Sequence, residues 1–414
     1  MHPSQSAEKI IPAGTWTVSP PSVLIEYGFY FYMVYMLLGG VFGFAVSNLA
    51  SALLVLLVFI CLYEVGVQAM TVIRLLAFPL GCGAAYTFIQ LVFYEESLTE
   101  TIRPFLIWML ILFLVQLLAL RANFLHRFVL VMFFIGLAAL PYLSLMNAPA
   151  VTGTYQRAGL DRAIGFSHTN VMAAWYGFCT VYFVVRGITI RKTALRILYW
   201  LMAVVCLYVV TLTVSRGALM AIAIATLIAV RHLLKNGFFP ILLLACVSWI
   251  VLELGIFNET AQFYSARGTE DTGRLAVWPL IIDSFLDSPL IGVGHANVGA
   301  TPEGGSHTVT PHNGFLYLAQ SSGIVPLALF IAYWLRAGWA AFQADVGKSP
   351  DAVFYLPLLV YTLLTINLGA FTFMQLWAIV SLAIPMTEGI RRQALGLSGQ
   401  VKKGVGADGF EIAK

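Results

Sequence analysis

Long apolar runs recur along almost the whole chain, and they allow few folds. Twelve can be counted: Leu24–Phe42, Val46–Val65, Thr71–Phe93, Phe105–Leu120, Phe128–Met146, Asn170–Val185, Leu195–Val214, Ala218–Leu234, Phe238–Ile256, Gly314–Leu335, Ala352–Leu368 and Phe371–Pro385. A helix needs about 20 mostly apolar residues to cross a bilayer. In the hydrocarbon every backbone amide must be bonded internally, so helices satisfy such runs. Only 10% of the residues are charged while 60% are hydrophobic. A typical soluble domain carries roughly 25% charge. The expected fold is therefore an all-α polytopic membrane protein of about 12 transmembrane helices, with no soluble second domain and no nucleic-acid partner.

The segment 1–22 is polar and lacks the basic start, short apolar core and small-residue cleavage site of a signal peptide. Residues 23–392 read as a single transmembrane domain and 393–414 as a flexible tail. The five cysteines, Cys61, Cys82, Cys179, Cys206 and Cys246, all fall inside apolar runs. Buried thiols fit that pattern better than a disulfide framework or a metal site.

Charge sets the expected orientation. With both termini cytoplasmic, 17 of the 23 Lys and Arg residues fall on the inner side. Only Arg103, Arg157, Arg162, Arg216, Arg267 and Arg274 remain outside. The positive-inside rule favours this arrangement. It also singles out the six outer arginines, which insertion alone would tend to remove.

The outer connections are short, with one exception. Arg216 lies in a tight turn, Ser215-Arg216-Gly217, and Arg157 and Arg162 lie five residues apart in a loop beside Asp161. The exception is a polar loop, 257–313, rich in glycine and holding Arg267, Arg274, His295, His307 and His312. Within it Asp271 or Thr272 can cap a helix in which Leu275, Trp278, Ile281, Ile282 and Phe285 recur at helical spacing. Such a helix is expected along the outer interface, kinked or restarted at Pro279.

Arg274 would occupy the first turn, where a cation opposes the helix dipole. It either awaits an anion or is solvated by lipid headgroups. Arg216 offers a planar fork suited to phosphate oxygens, or snorkels to the headgroups. Arg267 can be neutralised by Glu270 or Asp271, and Arg157 or Arg162 by Asp161. His312, between Pro311 and Asn313, stands at the threshold of the tenth run, where an imidazole can serve as a general base or as a capping group. His168 beside Asn170 can cap the sixth run. His295 and His307 fall in glycine-rich sequence that reads as a mobile loop. No metal site is expected, because no aspartate pair or His cluster has ligand spacing. No glycine loop of nucleotide-binding type appears either. Anionic charge would have to be stabilised by arginines.

Several segments in order resemble the O-antigen ligase and polymerase family of bacterial envelope proteins. They are Gly165-Phe166-Ser167-His168-Thr169-Asn170, Thr213-Val214-Ser215-Arg216-Gly217-Ala218, Gly273-Arg274-Leu275-Ala276-Val277-Trp278, Pro289-Leu290-Ile291-Gly292-Val293-Gly294 and His312-Asn313-Gly314-Phe315. The resembling region covers roughly 158–335. The resemblance implies a glycan donor linked to undecaprenyl diphosphate and a multi-pass protein of the bacterial inner membrane with a periplasmic site. It also implies an acceptor that is a lipid A–core sugar in ligases and another lipid-linked glycan in polymerases. On this basis Arg216, with Arg267 or Arg274, corresponds to the family's outer arginines and His312 to its loop histidine. Arg157 and Arg162 would assist in binding the diphosphate, Asn313 and His168 would support the site, and no cofactor is implied. One very long outer loop favours a ligase over a polymerase. A twelve-span transporter is the rival from another class. It would place ionisable residues near the membrane midplane, whereas here the arginines cluster outside.

Overall fold

The computed structural model describes residues 20–38, 46–66, 69–95, 98–150, 153–160, 169–234, 274–301, 308–346, 351–368 and 375–394. Fourteen helices occur among them: α1 Val23–Leu38, α2 Val46–Val65, α3 Ala69–Leu75, α4 Ala77–Phe93, α5 Leu98–Leu118, α6 Phe124–Ala139, α7 Thr169–Thr189, α8 Thr193–Leu212, α9 Arg216–Leu234, α10 Arg274–Asp287, α11 Gly314–Ser322, α12 Ile324–Val346, α13 Ala352–Leu368 and α14 Leu376–Ala394. Among the described residues five segments are long and apolar enough to cross a membrane, and four further apolar helices are shorter. The chain is thus a helical, multi-pass membrane protein. The expected span Phe238–Ile256 lies outside the described residues.

Three of the expected runs are divided or cut short in the structure. The third is divided at Leu76 into α3 and α4. The fifth stops early: α6 ends at Ala139, Pro141 follows in a short 3-10 turn, and the chain then forms an antiparallel hairpin of β1 (Leu143–Ala150) and β2 (Gly153–Leu160). Pro141 has no backbone N–H with which to continue the helical hydrogen bonds, and α6 ends just before it. The tenth run is two helices, α11 and α12, separated by Gly323 at φ 79.

α7 is the centre of the bundle. Sixteen of its residues are buried, on every side. A helix apolar all round belongs inside a large core. Its aromatic tips are satisfied by neighbouring backbones: Trp175 Nε1 donates to Met132 O at 3.0 Å and Tyr176 Oη to Gly136 O at 2.7 Å. Tyr361 Oη of α13 donates to Ala174 O at 2.9 Å. Close approach is permitted by Gly177, where an added Cβ would lie 2.2 Å from Tyr361 Oη.

The two ends of the bundle differ in chemistry. At one end Glu26, 1% exposed, accepts from Arg121 at 2.6 Å and from Arg127 at 2.6 and 2.9 Å. Arg391 there bridges Asp351 at 2.7 Å and Glu388 at 2.8 Å. Arg231 and Asp345, near the C-terminal ends of α9 and α12, pair at 2.7 Å. Those two helices therefore run parallel, and their N-termini lie at the opposite end. With about 1.5 Å of rise per residue, Arg216 stands roughly 22 Å from Arg231 along α9. Arg103 donates to Asn48 Oδ1 at 3.0 Å, joining the early turns of α5 and α2.

Candidate active site

Arg216, Arg274 and His312 each stand at or just before a helix N-terminus. Such ends expose up to four unpaired amides and a positive dipole pole. No acid occupies the first turn of α9, α10 or α11, so those turns add no negative charge that would oppose an anion.

Arg216 is the first residue of α9, not a member of the preceding turn, which is Thr213–Ser215. That turn is tight because Val214 takes φ 53, and it is buried. Leu219 N donates to Ser215 O at 3.2 Å, so Ser215 opens the helix. Arg216 itself is half-buried.

α10 begins at Arg274 and runs through Pro279 as one helix, so of the kink or restart expected there the restart does not occur. Its buried face is Val277 and Ile281, both 0% exposed, with Ser284 beside them. Ile282, by contrast, is 42% exposed. The buried stripe is thus turned by about one residue from the expected one, because α10 packs on α11. Trp278 Nε1 donates to Pro311 O at 2.8 Å. This bond ties the first turns of α10 to the residue preceding His312. Arg274 lies one turn before Trp278, about 6 Å along the axis.

His312 has φ 48, a left-handed conformation uncommon outside glycine. The turn it makes leaves Asn313 extended, as an N-cap should be. Asn313 Oδ1 accepts from Phe315 N at 3.0 Å and Leu316 N at 3.1 Å. Asn313 is thus a structural cap for α11, and it fixes the backbone on which His312 is carried.

The described part of the glycine-rich stretch, 289–295, is tied by hydrogen bonds to the end of α11. α11 is only nine residues long, and its last carbonyls need partners. Val293 N donates to Gln320 O at 2.7 Å and Gly294 N to Ser321 O at 3.2 Å. Gln90 Nε2 donates to Ser321 O at 2.9 Å, and its Oε1 accepts from His295 N at 2.8 Å. Ile324 N donates to Pro289 O at 2.8 Å. The approach is so close that a Cβ on Gly292 would lie 2.3 Å from Gln320 O. Tyr94 Oη donates to Gly292 O, and burial pushes its phenol up, so it stays a neutral donor.

His295 is the residue that the sequence undervalued. Its Nδ1 meets the Tyr86 hydroxyl at 3.0 Å and also the Tyr317 hydroxyl. Tyr86 and Gln90 on α4 and Tyr94 just past its end are spaced four apart, which places the first two on one face with Tyr94 following them. Tyr317 follows Asn313 by one turn of α11. The one local signal was the i, i+4, i+8 polar stripe in an otherwise apolar helix.

The remaining expectations fall unevenly. Arg157 lies on β2, paired in register with Met146, and so belongs to a strand, not a loop. Arg162, His168, Arg267 and His307 lie outside the described residues, as do Asp271 and Thr272. Among the described residues no group of three His, Cys, Asp or Glu side chains is placed to hold a metal ion. A cavity lined by residues of α6, α7, α13 and α14 lies at the far end of the bundle.

Residues 163–331 match the family model described as O-antigen ligase. No curated protein matches the chain. The matched segment holds Arg216, α10, the Gly292–His295 stretch and His312 together. Over residues 163–331, then, the chain is similar to the O-antigen ligase family.

Proposed function

We propose that the protein is an O-antigen ligase. It transfers a polysaccharide from undecaprenyl diphosphate to a sugar hydroxyl of lipid A–core, at the periplasmic face of the bacterial inner membrane. The acceptor oxygen attacks the anomeric carbon, forming the new glycosidic bond. The bond from that carbon to the diphosphate oxygen breaks in the same step, which inverts the centre. His312 takes the acceptor proton, and the diphosphate leaves on its prenyl carrier. Arg216 and Arg274, with Arg267, Arg157 and Arg162, hold the diphosphate and stabilise the charge growing on it. No metal or cofactor is invoked.

The observation that carries this reading is the Trp278–Pro311 hydrogen bond at 2.8 Å. It brings the helix begun by Arg274 beside the residue before His312, inside the family-matched segment. A cation and an imidazole at neighbouring helix starts suit a leaving diphosphate and an attacking hydroxyl. Polymerisation would use the same donor chemistry, with a second lipid-linked glycan as acceptor. Reconstituted protein given lipid-linked glycan and lipid A–core separates the two readings. Ligation yields glycan on the core, whereas longer chains on the prenyl carrier would contradict it in favour of polymerisation.

A further inference from the structure

At the end of the bundle away from Arg216 and His312, five chain segments line a cavity of about 30 Å³ that is open to the outside. Its wall carries Arg121, Arg186, Arg391, His126 and a single acid, Asp351. Most of this charge is already matched. Arg121 pairs with Glu26 at 2.6 Å, and Arg391 pairs with Asp351 and Glu388. His126 is engaged through Nδ1 by the Tyr182 hydroxyl at 2.8 Å and lies 3.5 Å through Nε2 from the Tyr199 hydroxyl.

Arg186 is the exception. Among the described residues no carboxylate pairs with it, and its buried Nε has no hydrogen-bond partner. Its guanidinium lies 6.0 Å from the centre of the Phe354 ring, which supplies only a weak counter-charge. A buried guanidinium nitrogen without a partner is uncommon and points to a missing anion or water. Arg186 lines the cavity, whose open side lets a headgroup phosphate reach it from outside.

The surroundings indicate what carries that anion. Tyr199, which borders His126, belongs to α8. Along the first turns of α8 the side chains of Leu195, Ile197, Leu198 and Leu201 are 37–58% exposed. Arg191, Lys192 and Arg196 are exposed at the same level of the bundle. An exposed apolar helix face with basic residues at its end matches a phospholipid, with acyl chains on the face and an anionic headgroup at the rim.

We propose that this cavity binds the phosphate of an anionic phospholipid through the fork of Arg186, with the acyl chains lying along α8. The proposal does not depend on the glycosyl-transfer reading. The test is thermal unfolding of the full-length protein in phosphatidylcholine nanodiscs, with and without phosphatidylglycerol, and in phosphatidylcholine with added inorganic phosphate. Phosphatidylglycerol raises the midpoint of the wild type by a few degrees, and inorganic phosphate does not. Arg186→Ala abolishes that gain. Its midpoint in phosphatidylcholine alone is unchanged or higher, since an uncompensated charge has been removed. Arg186→Lys, which keeps the charge and loses the fork, recovers part of the gain. An equal gain from inorganic phosphate would assign the site to a free anion and overturn the lipid. Absence of any gain in the wild type, or a full gain in Arg186→Ala, would overturn the site itself.

Discussion

Asn313 and His312 divide a task between neighbours. Asn313 accepts from two amides at the start of α11, and His312 holds the left-handed turn that lets it do so. Asn313→Ala should therefore cost about 1 kcal/mol, the usual value of an N-cap. Asn313→Asp should restore the cap, as thermal unfolding in detergent would record. His312→Ala should lower glycan transfer by a factor of roughly 10²–10⁴, the range for a lost general base, far more than any change in that midpoint accounts for. At this scale the sequence was informative wherever charge interrupts apolar text, as at Arg216 and Arg274. It was uninformative about His295, whose tyrosine partners stand 209 and 22 residues away. No local pattern links residues so far apart.

Among elements, the break between α11 and α12 matters most. Hydropathy runs smoothly across Gly323 because glycine and serine are tolerated in a span, so residues 314–335 look like one helix. The break comes from a distant contact. At Gly323 an added Cβ would lie 2.3 Å from Leu290 O, and φ is 79. Gly323→Ala combines a left-handed penalty with a backbone clash, together about 2–4 kcal/mol. Detergent unfolding should show the loss, with transfer activity lost alongside, since the same stretch closes the end of α11. The hairpin after α6 was equally hidden. Leu143 and Leu145 read as more span, and the only signal against it was Pro141. By contrast α13 begins and ends where its apolar run does, because nothing distant interrupts it.

The whole molecule is a bundle with unlike ends, built around a helix buried on all sides. Gly177→Ala should separate α7 from α13, since the new Cβ would meet Tyr361 Oη at 2.2 Å. The expected cost is about 1–3 kcal/mol, and Tyr361→Phe should relieve part of it in the double variant. Glu26 anchors the other end against Arg121 and Arg127. Glu26→Gln should cost about 1–3 kcal/mol, below the range for a fully buried pair because Arg127 is 36% exposed. Both losses should appear as lower unfolding midpoints.

The Arg231–Asp345 pair carries the larger consequence. By making α9 and α12 parallel, it puts Arg216 at the same end as α11 and His312. The central claim, that a guanidinium fork at that end stabilises a departing diphosphate, is tested most directly by the initial rate of glycan transfer to lipid A–core by Arg216→Lys, in liposomes containing a chelator. The account predicts a fall on the order of 10²–10³, because a point charge does not replace the fork. Transfer near the wild-type rate would contradict it.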